Sequence, residues 1–310
     1  MVRVRGSAWF SVLWLLVATV GKGWAQEPPS TLEAPDTWTQ DVRTPEKVAS
    51  CRLTTALLSG GSMVAGLALL NGAWYTQYDR SAFHSFDDSQ EWLQMDKAGH
   101  FFSAYTLGNW GHAAWSRCGT SSKEAVLVGG SLGLIFLTGV EVLDGTSAGW
   151  GFSWSDMAAN VSGAGLFMGQ QVMWGEQRIT PKLSAHLSPF AAQRPDLLGE
   201  SLGERILKDY NGQTIWLSAN LERFRLGRGI PPWLNLALGY GAEQMVTAFK
   251  APGDGRFRQY YLAPDVDLTR IPSGSSFVRT VLFVLNGIKV PLPGMEVRSN
   301  GRVLFHGIVF

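Results

Sequence analysis

Charge is scarce in this chain: Asp, Glu, Lys and Arg make up 16% of its 310 residues, against roughly 25% in an ordinary soluble protein. The two signs nearly cancel, with 26 basic and 25 acidic residues and a net charge of +1. No basic surface of the kind that neutralises nucleic-acid phosphates is therefore expected. Between Ala125 and Gly175 there is no Lys, Arg or His at all. Cysteine is almost absent too. Cys51 and Cys118 are the only two, too few for a disulfide scaffold or a cysteine-based zinc site, but enough for one bridge in an oxidising compartment. The sequence has no phosphate-binding loop, H-E-x-x-H helix or dinucleotide fingerprint, so several of the common enzyme signatures are missing.

The chain is rich in glycine (36) and tryptophan (13). Arg3 and Arg5 precede an apolar run from Ala8 to Val20, and Gly23-Trp24-Ala25 follows as a small-x-small site; residues 1–25 read as a secretory signal peptide. Residues 26–47, rich in Pro, Thr and acidic side chains, read as a flexible tether. Val48-Ala49-Ser50-Cys51 looks like an acylation box, but no apolar core directly precedes it, so lipidation at Cys51 is not expected.

Residues 48–175 read as a bundle of about four helices. The first, about Ala49 to Tyr75, carries no charge from Thr54 onward and is the best candidate to cross ~30 Å of hydrocarbon. The second runs from about Met95 to Arg117. The third, about Lys123 to Leu143, follows the capping box Ser121-x-x-Glu124, and the fourth, about Ser155 to Trp174, follows Ser153-x-x-Asp156. Gly129-x-x-x-Gly133 and Gly165-x-x-x-Gly169 give the last two helices small-residue faces for close packing.

Residues 176–310 change texture. Ile179–Leu187, Gln213–Leu221, Trp233–Tyr240 and Arg258–Leu268 alternate as strands do, a short apolar helix covers Ser276–Leu285, and a last strand covers Arg302–Phe310. The expected class is α+β. Leu304, Ile308 and Phe310 share one alternation resembling the closing strand of an outer-membrane barrel, although too few strands are visible to close one.

Short connections make the second, third and fourth helices antiparallel neighbours. Asp96, Lys97, His100, Glu141, Asp144, Asp156 and Asn160 then fall at one end, with Asp96/His100, Glu141/Asp144 and Asp156/Asn160 each spaced to share a helix face. Asp96 and Asp156 lie at helix N-termini, where a carboxylate is favoured; Glu141 and Asp144 lie at a C-terminus, where it is not. Three resolutions stand open: a bound divalent metal, a raised carboxylate pKa, or solvation at a membrane surface. Each residue also has a structural reading, Asp156 as a cap and His100 as partner of Asp96. His84, His112, His186 and His306 are isolated and read as structural. Cys51 and Cys118 fall on the same side of a helical hairpin, at the end away from the carboxylates, where a bridge can form.

Asp96-Lys97-Ala98-Gly99-His100-Phe101, Glu141-x-x-Asp144 and Gly151-Phe152-Ser153-Trp154-Ser155-Asp156 through Asn160 to Gly163 together resemble the YfiM-like domain of unknown function, whose members are described as predicted periplasmic lipoproteins. Glu204 to Gln213 is similar to a longer, Bacteroidetes-type form of it. The Asp-Lys-x-x-His start is also similar, more weakly, to VanZ-like membrane proteins. The resemblance implies a place in the bacterial cell envelope, membrane-associated and exposed to the periplasm, with membrane lipid and other envelope proteins as partners; it implies no reaction. The functional expectation is a structural or envelope-maintenance role. The alternative is a metal-assisted hydrolase or transferase acting on lipid or cell-wall head groups, with Asp96, His100, Glu141, Asp144 and Asp156 as metal ligands or acid/base groups.

Overall fold

The computed structural model describes residues 44–76, 78–226, 229–250 and 253–309. The signal-peptide segment, most of the tether and Phe310 lie outside the described residues. Helix α1 (Pro45–Leu70) starts a few residues before the expected end of the tether, with Pro45 at its first turn and Glu46 beside it, both favourable at a helix N-terminus. It runs on through a π turn at Asn71–Tyr75. Apart from Gly66 it is exposed or half-buried along its length. α2 (Met95–Ser116), α3 (Ser122–Gly145, with a π turn at Ala125–Gly129) and α4 (Trp154–Trp174) complete the helical half. Ser121 Oγ accepts from the Glu124 N–H and Ser153 Oγ from the Asp156 N–H, as the capping patterns predict. α1 and α3 are long and apolar enough to cross a membrane.

Close packing of α2 rests on glycine. A Cβ on Gly133 would stand 2.2 Å from the Ala104 carbonyl oxygen, and one on Gly163 would stand 2.1 Å from that of Phe101. The Gly129/Gly133 face therefore packs as expected. Gly165 and Gly169 face nothing within 4 Å, so on α4 the close approach is made by Gly163 instead. Cys51 and Cys118 form a disulfide with their Cα atoms 5.4 Å apart, which joins α1 to the end of α2 and leaves Cys51 no thiol to acylate.

The second half is a six-stranded antiparallel meander in sequential order: β1 (Ile179–Ala185), β2 (Gln213–Asn220), β3 (Leu234–Glu243), β4 (Phe257–Val266), β5 (Leu292–Arg298) and β6 (Val303–Val309). Between β1 and β2 lie two short helices, α5 (Pro195–Leu198) and α6 (Leu202–Lys208); α7 (Ser276–Leu285) precedes β5. The fold is α+β, as expected. β5 is the strand missing from the sequence reading; Pro293 and Gly294 break its pattern, and its register with β6 shifts between Leu292 and Gly294. The segment before β5 lies along β1, with the Leu183 N–H donating to Gly287 O at 2.8 Å and the Lys289 N–H to Leu183 O at 3.0 Å.

The two halves share a core of Trp92, Met95, Leu198, Ile215 and Met245. Immediately before α2, Trp92, Leu93 and Gln94 all adopt left-handed backbone, at φ 46°, 50° and 66°. Such conformations cost of order 1 kcal/mol or more per residue and persist only where surroundings enforce them. Here the β half does so. The Trp92 N–H donates to Ala248 O at 2.8 Å, the Tyr240 hydroxyl donates to Leu93 O, and Arg258 donates to Gln94 Oε1 at 2.6 Å.

Candidate functional site

That strained turn aims the first turn of α2 at the ends of α3 and α4. Lys97 Nζ lies 2.6 Å from Asp88 Oδ2, 3.1 Å from Asp96 Oδ2 and 3.1 Å from Asp156 Oδ1. The three carboxylates outweigh the penalty of burial and raise the Lys97 pKa, so the ammonium stays charged. Asp88 also accepts from the Ser153 and Ser155 hydroxyls at 2.6 and 2.7 Å. Burial works against its ionisation, yet hydrogen bonds from the Asp156 carboxyl, Lys97 and the two serines hold its pKa down to about 2.

His100 lies at the centre of the second layer. Its Nδ1 is 3.0 Å from Asn160 Oδ1 and 3.6 Å from Glu141 Oε1, and its Nε2 is 3.9 Å from Asp96 Oδ1. Burial opposes the imidazolium, but Asp96, Asp156 and Glu141 prevail and raise its pKa. Asp96 is half-buried; desolvation opposes its charge, but His100, Lys97 and the Tyr210 hydroxyl, which donates at 2.7 Å, keep its pKa low. Asp156 responds in the opposite direction. Burial first and the Asp96 charge second push it up to about 8. Burial, with Asp88 and Asp96, likewise pushes Glu91 up to about 7.

The structure thus gathers all seven residues expected at this end of the bundle. Glu141 Oε2 accepts from the Ser153 N–H at 3.0 Å, and Asp144 accepts from the Tyr75 hydroxyl at 2.7 Å. Sequence reasoning missed Asp88, Glu91, Tyr75 and Tyr210. The first two sit in an aperiodic connection, whereas Tyr210 belongs to the Glu204–Gln213 segment already singled out by resemblance. His306, read as structural, pairs with Glu296 at 2.7 Å in the sheet.

A cleft of about 250 Å³ opens over the cluster, lined by Asp88, Glu91, Asp96, His100, Asp144 and Asp156 and walled by Trp74, Trp92, Trp150 and Phe86. Among the described residues, Asp96, His100 and Asp156 form a group whose donor atoms lie within 4.8 Å of one another. Glu141 and Asp144 stand outside that group. Three buried atoms beside it have no hydrogen-bond partner: Asp156 Oδ1, Glu141 Oε1 and Asn160 Nδ2, on residues only 4%, 1% and 0% exposed. Lys97 Nζ is within ion-pair reach of Asp156 Oδ1 and donates its hydrogen bond to the other oxygen of that carboxylate, Oδ2, at 3.3 Å.

Residues 85–169 match the family described as predicted periplasmic lipoprotein (DUF2279). The match takes in Asp88 and the parts of α2, α3 and α4 that carry the cluster, and stops short of the sheet and of Tyr210. No curated protein and no solved structure matches the chain. The family description gives a membrane-anchored, periplasmic location in the bacterial cell envelope.

Proposed function

We propose that this chain is an envelope-maintenance protein, held at a membrane by the apolar helices α1 and α3, whose bundle-end cleft binds a divalent cation through Asp96, His100 and Asp156. The observation that carries this reading is the group of Asp96, His100 and Asp156, each offering one ligand atom within 4.8 Å of the others, with a buried Asp156 oxygen, Oδ1, that accepts no hydrogen bond. The 3.9 Å between Asp96 Oδ1 and His100 Nε2 is too long for a hydrogen bond. It fits two ligands of one ion, which stand roughly 3–4 Å apart when each is bound at ~2.1 Å. Charge agrees: Asp88, Glu91, Asp96, Asp144 and Asp156 line the cleft with His100, and Lys97 is shared among three of these carboxylates. An imidazole with two carboxylates suits zinc or manganese better than calcium. Membrane lipid and other envelope proteins are the partners this reading supplies.

A second reading has the ion activate water against lipid or cell-wall head groups. It is favoured by the cleft of about 250 Å³ that opens over the three residues, which leaves room for a head group beside the ion. The test is elemental mass spectrometry on the full chain in mild detergent, equilibrated with zinc or manganese and desalted. About one ion per chain, lost in Asp156→Asn and His100→Ala variants that melt as the native protein does, is the expected result. A metal-free native chain overturns both readings. Ion-dependent release of phosphate or amine from head-group substrates selects the second.

A further inference from the structure

The sheet is built inside out. Its inner face carries charge: Lys182 Nζ lies 2.8 Å from Asp265 Oδ2 and Lys289 Nζ lies 3.7 Å from Asp265 Oδ1, with all three side chains fully buried. Ser218 and Asn235 extend that network, and Glu296 is buried with Gln259 and Arg298 on the same face. The outer face is apolar. The register aligns Pro181, Leu217, Leu238, Leu262, Met295 and Phe305 in one row across all six strands. The flanking row is Leu183, Ile215, Tyr240, Tyr260, Val297 and Val303. Near β1 the helical half covers this face, because Ile215 and Tyr240 pack on the shared core. Further round the sheet it is bare: Leu238 is 60%, Phe305 82% and Val303 52% exposed. Contiguous exposure of this kind marks a docking surface in a soluble or membrane protein alike.

We infer that this bare outer face is seated in the hydrocarbon of one membrane leaflet, with lipid acyl chains as its occupant. Two observations choose lipid. First, the face belongs to a molecule whose α1 and α3 are already long and apolar enough to enter a bilayer and expose Leu57, Val64, Leu127 and Ile135. Second, neither row contains a charged or hydrogen-bonding side chain apart from the tyrosines, whereas a protein partner would meet a polar rim. Tyr260 and the half-exposed Trp233 at the head of β3 are the residue types that settle at head-group level. Depth follows from the strands. β3 and β4 have 10 residues each, but β1, β5 and β6 have 7 each, short of the roughly 9–11 that span a bilayer, so the sheet as a whole does not cross it. Among the described residues β6 pairs only with β5, and an open edge is not tolerated in mid-bilayer. The sheet therefore lies in the interface.

This inference stands independently of the cation reading. The experiment uses the full chain in vesicles of phosphatidylethanolamine and phosphatidylglycerol, with one added cysteine carrying an environment-sensitive fluorophore. The native cysteines are bridged to each other and do not react. Labels at Leu238→Cys and Phe305→Cys should shift to the blue and lose emission to brominated acyl chains, while a label at Asn300→Cys, in the β5–β6 turn, should respond to aqueous iodide only. Labels on the sheet that respond to iodide as Asn300 does overturn the inference. So do labels shielded from both quenchers, since that outcome means a protein surface covers the face.

Discussion

The Tyr210 hydroxyl donates to Asp96 Oδ1 at 2.7 Å, joining residues 114 positions apart and tying the β half to the first turn of α2. Because Asp96 is ionised and half-buried, the bond is of the charge-assisted kind, which contributes about 1.5–3 kcal/mol. Tyr210→Phe removes the hydroxyl while keeping the ring that packs 5.6 Å from Trp92. Chemical denaturation of this variant is expected to show a loss of that size. A loss below 0.5 kcal/mol would mean that water replaces the hydroxyl and that the two halves are held by their apolar core alone.

Lys97 is the cation at the centre of the site, with a side chain only 12% exposed and three carboxylates within 3.1 Å. Removing one partner of a buried ion pair costs about 3–5 kcal/mol, because the remaining charges lose their compensation. Lys97→Met should therefore melt well below the native chain. If the cleft binds a divalent ion, zinc should raise the melting temperature of Lys97→Met more than that of the native protein, since the ion then meets unneutralised carboxylates. Equal shifts in both would separate Lys97 from the cation site.

The helical half is legible because local chemistry and spacing agree there. Ser121 and Ser153 announce the starts of α3 and α4, and short connections force the three helix ends together, which is enough to gather Asp96, His100, Glu141 and Asp156. Asp88 is not legible. It lies in an aperiodic connection, yet makes the shortest contact to Lys97. The left-handed turn at Trp92–Gln94 is also hidden, since no glycine marks it and distant residues such as Tyr240 and Arg258 hold it in place. In the β half, alternation reveals β1 to β4 and β6, but Pro293-Gly294 conceals β5. Alternation also leaves open which face is inner: the apolar set faces outward, and only the burial of Lys182, Asp265 and Glu296 reveals it.

Glycine spacing misleads on α4, and the correction is testable. A Cβ at position 163 would stand 2.1 Å from the Phe101 carbonyl oxygen, whereas one at position 165 meets nothing within 4 Å. Gly163→Ala must push α4 away from α2 and is expected to destabilise the chain by about 1–3 kcal/mol. Gly165→Ala should be neutral or stabilise by up to ~1 kcal/mol through helix propensity. Thermal unfolding in detergent distinguishes the pair. Equal losses would place the α2–α4 contact on the Gly165 face instead.

Glu296 gives the sheet an acid limit. Burial disfavours its charge, but hydrogen bonds from Arg298, Gln259 and His306 prevail and hold its pKa below the ordinary value of 4.5. A carboxyl whose folded pKa lies below its unfolded one stabilises the fold fully above the unfolded value, and that contribution disappears as pH falls through the folded value. Melting temperature should thus be insensitive to this group above about pH 4.5 and fall beneath it. Glu296→Gln should be less stable at neutral pH, where Arg298 loses its partner, and should lose less than the native chain on acidification. Parallel acid limbs in the two proteins would assign the fall to other carboxylates, with the Lys182–Asp265–Lys289 network next to be tested by the same scan.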